Sequence, residues 1–132
     1  MGKNTYFSLS GPLKNRLNIV LTKTPETYSN QHHHNNVIFI NDDKNYDSIH
    51  NNREYYTNTY PFLHKNFKIF IIGGKNIYEQ FIPLCECVWI TKIKKDYASD
   101  LFLDYDFSNQ FGEPEIIDED ADLIIYKYKN LT

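Results

Sequence analysis

Apolar and polar positions change rhythm several times along the chain. In "GKNTYFSL" (Gly2 to Leu9) the apolar Tyr6 and Leu9 stand three apart, a helical spacing, and Gly11-Pro12 closes the pattern. "RLNIVLT" (Arg16 to Thr22) alternates and is rich in branched residues, which predicts a strand. Thr24 to Asn36, with "SNQHHHNN", is polar throughout and reads as a loop insertion; "NVIFIN" (Asn36 to Asn41) is a second strand. Asp47 to His64 is ambiguous: Tyr46, Ile49, Tyr55 and Tyr56 suit one helix face, which Pro61 must break. "FKIFII" (Phe67 to Ile72) is a continuous apolar run ending at Gly73-Gly74, as in a strand covered on both faces. "KNIYEQFIPLC" returns to helical spacing at Ile77, Tyr78, Phe81 and Ile82 and stops at Pro83. "CVWITKI" (Cys87 to Ile93) is another strand, with Trp89 assigned to the core, and "EPEIIDE" and "DLIIYKYKN" form a terminal antiparallel hairpin turning at "DEDAD" (Asp118 to Asp122). Strand, helix and strand in the middle with strands at the end make an α/β protein.

Composition narrows this to one domain, residues 1–132, with 41% hydrophobic and 16% aromatic residues. Mean hydropathy of −0.58 implies a polar surface. A net charge of −3 gives no electrostatic reason to expect a nucleic-acid partner. No stretch reaches the roughly 20 apolar residues that span a bilayer, and "MGKNTYFSLS" lacks the apolar centre of a signal peptide. Cys85 and Cys87, one residue apart, are badly spaced for a structural disulfide, which predicts a reducing, cytoplasmic setting. Gly2 is no myristoylation start, because Tyr6 stands where Ser or Thr is needed. His32, His33 and His34 sit on an Asn-rich loop without preset geometry, so no metal site is expected.

The junction "IIGGKNIYEQF" (Ile71 to Phe81) raises a question of chemistry. A strand-to-helix turn leaves the first helical amides unpartnered and partly positive, and glycines let an anion approach the main chain. For an isolated Gly-Gly an ordinary left-handed turn is the better explanation. Gly-Lys-Ser/Thr and a third glycine are both absent, so neither standard phosphate-loop fingerprint is present.

"MGKNTYFSLSGPLKNRLNIVLT" (Met1 to Thr22) together with "FIIGGKNIYEQFIPLCECVWITKI" (Phe70 to Ile93) resembles dihydrofolate reductase, and the likeness continues through "YASDLFLDYDF" (Tyr97 to Phe107) to the last hairpin. The resemblance implies a mixed β-sheet flanked by helices, NADPH as cofactor and dihydrofolate as the small-molecule substrate. By position, Gly2, Lys3, Asn4 and Thr5 match the helix start at the cofactor diphosphate, and Leu21, Thr22 and Lys23 match the strand end at the adenosine ribose and its 2′-phosphate. A hydroxyl and an ammonium are what a dianionic phosphate requires. Gly73 and Gly74 match the family's Gly-Gly, whose peptide is typically cis, and Lys75, Asn76 and Ile77 follow on the cofactor side. On the substrate side, Arg16 matches the arginine that forks onto the glutamate α-carboxylate. Ser8, Leu9 and Leu13 match the p-aminobenzoyl pocket, and Ile72, Tyr78 and Thr91 match residues near pterin and nicotinamide.

The family pattern also includes a leader upstream of Met1, with the first two strands, a mobile loop and a helix bearing the proton-assisting carboxylate. No residue of this chain matches that acid, so no catalytic residue is assigned; Asp100 and Asp104 read as loop residues. The resemblance therefore implies a dihydrofolate reductase that is impaired as this chain alone, or one completed by a separately encoded N-terminal segment. The rival reading is a non-catalytic remnant or nucleotide-binding module of the same fold. In the family's sheet the absent strands flank "FKIFII", so this strand is expected to lose its partners, at a kcal/mol or more per buried unpaired group.

Overall fold

A computed structural model describes residues 1–29, 34–41 and 46–132. They form two compact units, Met1–Ile77 and Tyr78–Thr132. His32 and His33 lie outside the described residues, as does the side chain of Tyr46; His34 is exposed.

In the first unit, helix α1 (Lys3–Ser8) is followed by strand β1 (Asn18–Thr22), helix α2 (Pro25–Ser29) and strand β2 (Val37–Asn41). β1 and β2 pair in parallel, with Val20 opposite Phe39 and Thr22 opposite Asn41. Their apolar alternation places Val20, Val37 and Phe39 in one core with Tyr6 of α1, and Val20 is fully buried. Tyr6 meets Phe39 edge-on at 5.6 Å, and Tyr28 stacks on Phe39 at 5.5 Å. Each such ring or branched chain removed from water contributes on the order of 1.5–3 kcal/mol. Six residues cannot hold a helix alone. α1 persists because Tyr6 is buried and its entrance is tied down on both sides, as described below.

The region 24–36 is not simply a loop: Pro25 opens a five-residue helix whose Tyr28 covers the core. A proline at the first helical position lacks only an amide that would have had no partner. The ambiguous stretch resolves into helices α3 (Tyr46–His50) and α4 (Arg53–Thr59), ending before Pro61. Ile49 and Tyr56 are buried, but Tyr55 is 60% exposed and so does not share their face.

Phe67–Ile72 departs most from the sequence expectation. It belongs to neither sheet among the described residues, and Phe70 is 77% exposed rather than covered on both faces. Apolar sequence supplies strand preference, but a strand exists only where a neighbouring backbone completes its ladder. The segment's start is held from α4, where Arg53 Nη1 donates to the Phe67 carbonyl at 2.6 Å and its guanidinium lies 4.3 Å from the Phe67 ring.

Helix α5 (Lys75–Phe81) begins in the first unit and ends in the second, where Phe81 and Ile82 are buried. Strands β3 (Cys87–Ile93), β4 (Glu115–Glu119) and β5 (Leu123–Lys129) form an antiparallel sheet in the order β3-β5-β4, with a bulge between Ile116 and Asp118. The last hairpin forms as expected: the Asp120 carboxylate accepts from the amides of Asp122 and Leu123 in its turn. Trp89 is not core. It is 59% exposed, with Lys127, its partner across the ladder, placed 5.7 Å from the ring. Both cysteines are free thiols, and no described helix is long and apolar enough to cross a membrane.

Candidate functional site

Two helix entrances meet in the first unit. The Gly2 amide donates to the Gly73 carbonyl at 2.8 Å, and the Leu21 amide donates to the Met1 carbonyl at 2.8 Å. Gly2 and Leu21 also form an isolated parallel bridge, so the chain entering α1 lies alongside the end of β1. Three stretches distant in sequence, Gly2–Thr5, Leu21–Lys23 and Gly73–Ile77, are thereby joined through direct main-chain contacts.

The glycines have separable reasons. Gly73 is buried at φ 104, a backbone region that side chains disfavour, and its bond to Gly74 is cis. At Gly74 an added Cβ would stand 3.4 Å from Thr5 Oγ1, and at Gly2 it would stand 3.5 Å from Ile77 Cγ1 and 4.0 Å from the Gly74 nitrogen. These are ordinary van der Waals distances, so a Cβ at Gly2 or Gly74 would fit between the α1 and α5 entrances. The Gly2 amide is committed to Gly73, and helix geometry leaves the amides of Lys3, Asn4 and Thr5 without intrahelical acceptors.

Charge and hydroxyls surround this junction. Lys3 is exposed, with Nζ 3.4 Å from the Tyr28 hydroxyl; Lys23 and Asn76 are exposed and Lys75 is half-buried. Thr22 is buried at the end of β1, and its Oγ1 accepts from the Thr24 amide at 3.2 Å, which shapes the turn that presents Lys23. The Met1 amino group donates to the Ile19 carbonyl at 3.0 Å, and burial pushes its pKa down to about 6. Amides, hydroxyls and ammonium groups are the donor types that a phosphorylated ligand takes.

The substrate-side residues are only partly gathered. Ser8 closes α1, donating from Oγ to the Thr5 carbonyl at 2.6 Å, and Leu9 is the C-cap. Leu13 and Arg16 lie in the turn before β1, held by Asn18 and Asn36, and the Arg16 side chain is exposed. Ile72 is half-buried beside Gly73, while Tyr78 and Thr91 belong to the second unit, both exposed. Sequence reasoning missed Asn18, Asn36, Tyr28 and the Met1 main chain. A polar residue opening a branched strand was the available signal for Asn18; nothing in the pattern pointed to the others.

A sequence profile described as dihydrofolate reductase matches residues 1–128. The dihydrofolate reductase of Mycoplasma genitalium is 31% identical over 135 residues, covering 98% of this chain and 73% of that one. The bifunctional dihydrofolate reductase-thymidylate synthase of Plasmodium chabaudi is 32% identical over 108 residues, covering 76% of this chain and 16% of that one. This chain also spans only 50% and 59% of its relatives from Plasmodium vinckei and Ureaplasma parvum. Among solved structures, dihydrofolate reductase from Enterococcus faecalis complexed with NADP(H) and RAB-propyl superposes with a TM-score of 0.62 at 21% identity, over 99% of this chain and 72% of that chain. That likeness carries the α/β fold, and the profile, spanning nearly every residue, carries the kinship: the chain belongs to the dihydrofolate reductase family.

Proposed function

We propose that the chain binds NADPH at the junction of the α1 and α5 entrances and that its chemistry is the NADPH-dependent reduction of 7,8-dihydrofolate to tetrahydrofolate. The observation that carries this reading is the 2.8 Å contact between Gly2 and Gly73, which unites the two glycine segments assigned to one diphosphate. In this reading the amides of Lys3, Asn4 and Thr5 and the Lys3 ammonium hold the diphosphate. Leu21, Thr22 and Lys23 take the adenosine ribose and its 2′-phosphate. Gly73, Gly74, Lys75, Asn76 and Ile77 line the cofactor side. Bound NADPH would supply a hydride. The Arg16 guanidinium orients the substrate through its glutamate carboxylate, and Ser8, Leu9, Leu13 and Ile72 line the first unit's part of the substrate site; Tyr78 and Thr91 are the second unit's residues that the family resemblance assigns to pterin and nicotinamide.

A second reading, binding without turnover, rests on where the assigned residues fall. All twelve cofactor residues lie within Met1–Ile77, which supports a nucleotide-binding module of the same fold. The two readings divide on one titration and one assay. Enhanced nicotinamide emission on adding NADPH, with no decay of its absorbance when dihydrofolate follows, leaves the binding module; decay above buffer establishes the reductase. Unchanged emission removes both.

A further inference from the structure

Asn18 is a polar side chain only 2% exposed. Its Oδ1 accepts the Leu13 amide at 3.0 Å, and its Nδ2 donates to the carbonyls of Leu13 at 2.9 Å, Arg16 at 3.2 Å and Asn36 at 3.2 Å. Asn36 reaches the same turn from the start of β2, donating from Nδ2 to the Leu13 carbonyl at 3.1 Å and the Arg16 carbonyl at 3.3 Å. The Asn18 amide in turn donates to the Asn36 carbonyl at 2.7 Å. Leu13 and Arg16 carbonyls therefore each take two side-chain amide donors. Asn15 crosses the turn between them at φ 61, a conformation that asparagine tolerates better than most residues.

The two ends of Arg16 differ sharply. Its main chain is clamped by two strands, while its exposed guanidinium meets no hydrogen-bond or ion-pair partner among the described residues. A buried, fully satisfied amide network fixes geometry more narrowly than packing alone. Clamping the root fixes the point from which the Arg16 side chain reaches and so the region its guanidinium samples, and the head is available to an external carboxylate.

We propose that Asn18 and Asn36 are positioning residues, a two-strand latch that sets the Arg16 fork for the carboxylate of the bound substrate. The inference rests on the reading of Arg16 given under Proposed function. Its test compares the full chain's affinity for folate and for pteroate, which share the pterin and p-aminobenzoyl groups and differ in the glutamate. Asn36→Ala removes two donors at a half-buried site. It is expected to weaken folate about tenfold and pteroate less than about twofold, as for loss of a charge-assisted contact. Equal weakening of both ligands, or of neither, overturns the latch as a positioning device. Arg16→Gln separates the two levels: if it leaves the folate-to-pteroate ratio unchanged, the carboxylate reading falls and the latch's purpose falls with it. If Arg16→Gln collapses that ratio while Asn36→Ala preserves it, the latch alone is refuted. Should Asn36→Ala not fold, the Leu13 amide of the parent chain decides, since a latch requires its hydrogen exchange to be slow and fast exchange overturns it.

Discussion

At Gly73 and Gly74 adjacent residues of one type answer different constraints. Gly73 is buried at φ 104, where a Cβ costs roughly 1–2 kcal/mol. Gly74 faces Thr5 Oγ1 at 3.4 Å, a contact relieved by a small shift of that side chain. Gly73→Ala is therefore expected to lower urea stability by about that amount, and Gly74→Ala by visibly less; the reverse order would refute this division. Met1 supplies a pH dependence. Burial lowers its amine from 8.0 to about 6, so the folded state disfavours the charged form. Above about pH 8 both states are neutral and stability is full; as pH falls towards 6 only the unfolded chain takes up the proton, and stability declines by up to about 2–3 kcal/mol before levelling. Acetylating the amine should remove this slope, which urea midpoints across the interval would register. At this scale the sequence identified the glycines and Arg16 through their wording, but not Asn18 or Asn36. Their importance comes from carbonyls that only the folded turn brings within reach.

Elements divide by whether they found a partner. The helices at Lys3–Ser8 and Lys75–Phe81 and the strands at Cys87–Ile93 and in the last hairpin follow the periodicity closely: the helices bury Tyr6 and Phe81, and the three strands complete one another's ladder. Phe67–Ile72 has the strongest strand pattern in the chain and forms none, because periodicity encodes a face to be covered and not the backbone that covers it. A contrast follows between two phenylalanines. Phe39→Ala opens the first unit's core beneath Tyr6 and Tyr28 and is expected to cost about 3–5 kcal/mol. Phe70→Ser, at a site 77% exposed, should change stability by no more than about 0.5 kcal/mol. Denaturation curves of the two variants give the answer directly, and a Phe70 cost rivalling that of Phe39 would mean that the segment is covered in solution. Trp89 teaches the same lesson on β3: an apolar strand predicts a buried ring, yet this ring stands outside with Lys127 near it.

On the scale of the whole molecule each unit has its own buried residues. Tyr6, Val20, Val37 and Phe39 form the core of Met1–Ile77, while Phe81, Ile82 and Phe111 are the buried apolar residues of Tyr78–Thr132. Cooperative unfolding requires shared packing, so one probe in each unit tests whether the chain unfolds as one body. Trp89, the single tryptophan, reports on the second unit, and the Val20 amide on the first. Fluorescence and hydrogen exchange along one urea series read the units separately: coincident midpoints show one cooperative body, and different midpoints show two. By itself the sequence determined the α/β class and the kinship, since these depend on local periodicity and on short strings of residues. Only tertiary structure decided that Gly2 spends its amide on Gly73, that two asparagines clamp Arg16 and that the best strand pattern lacks a ladder. Each of these depends on which backbone atoms meet across long stretches of chain, and local sequence does not encode those meetings.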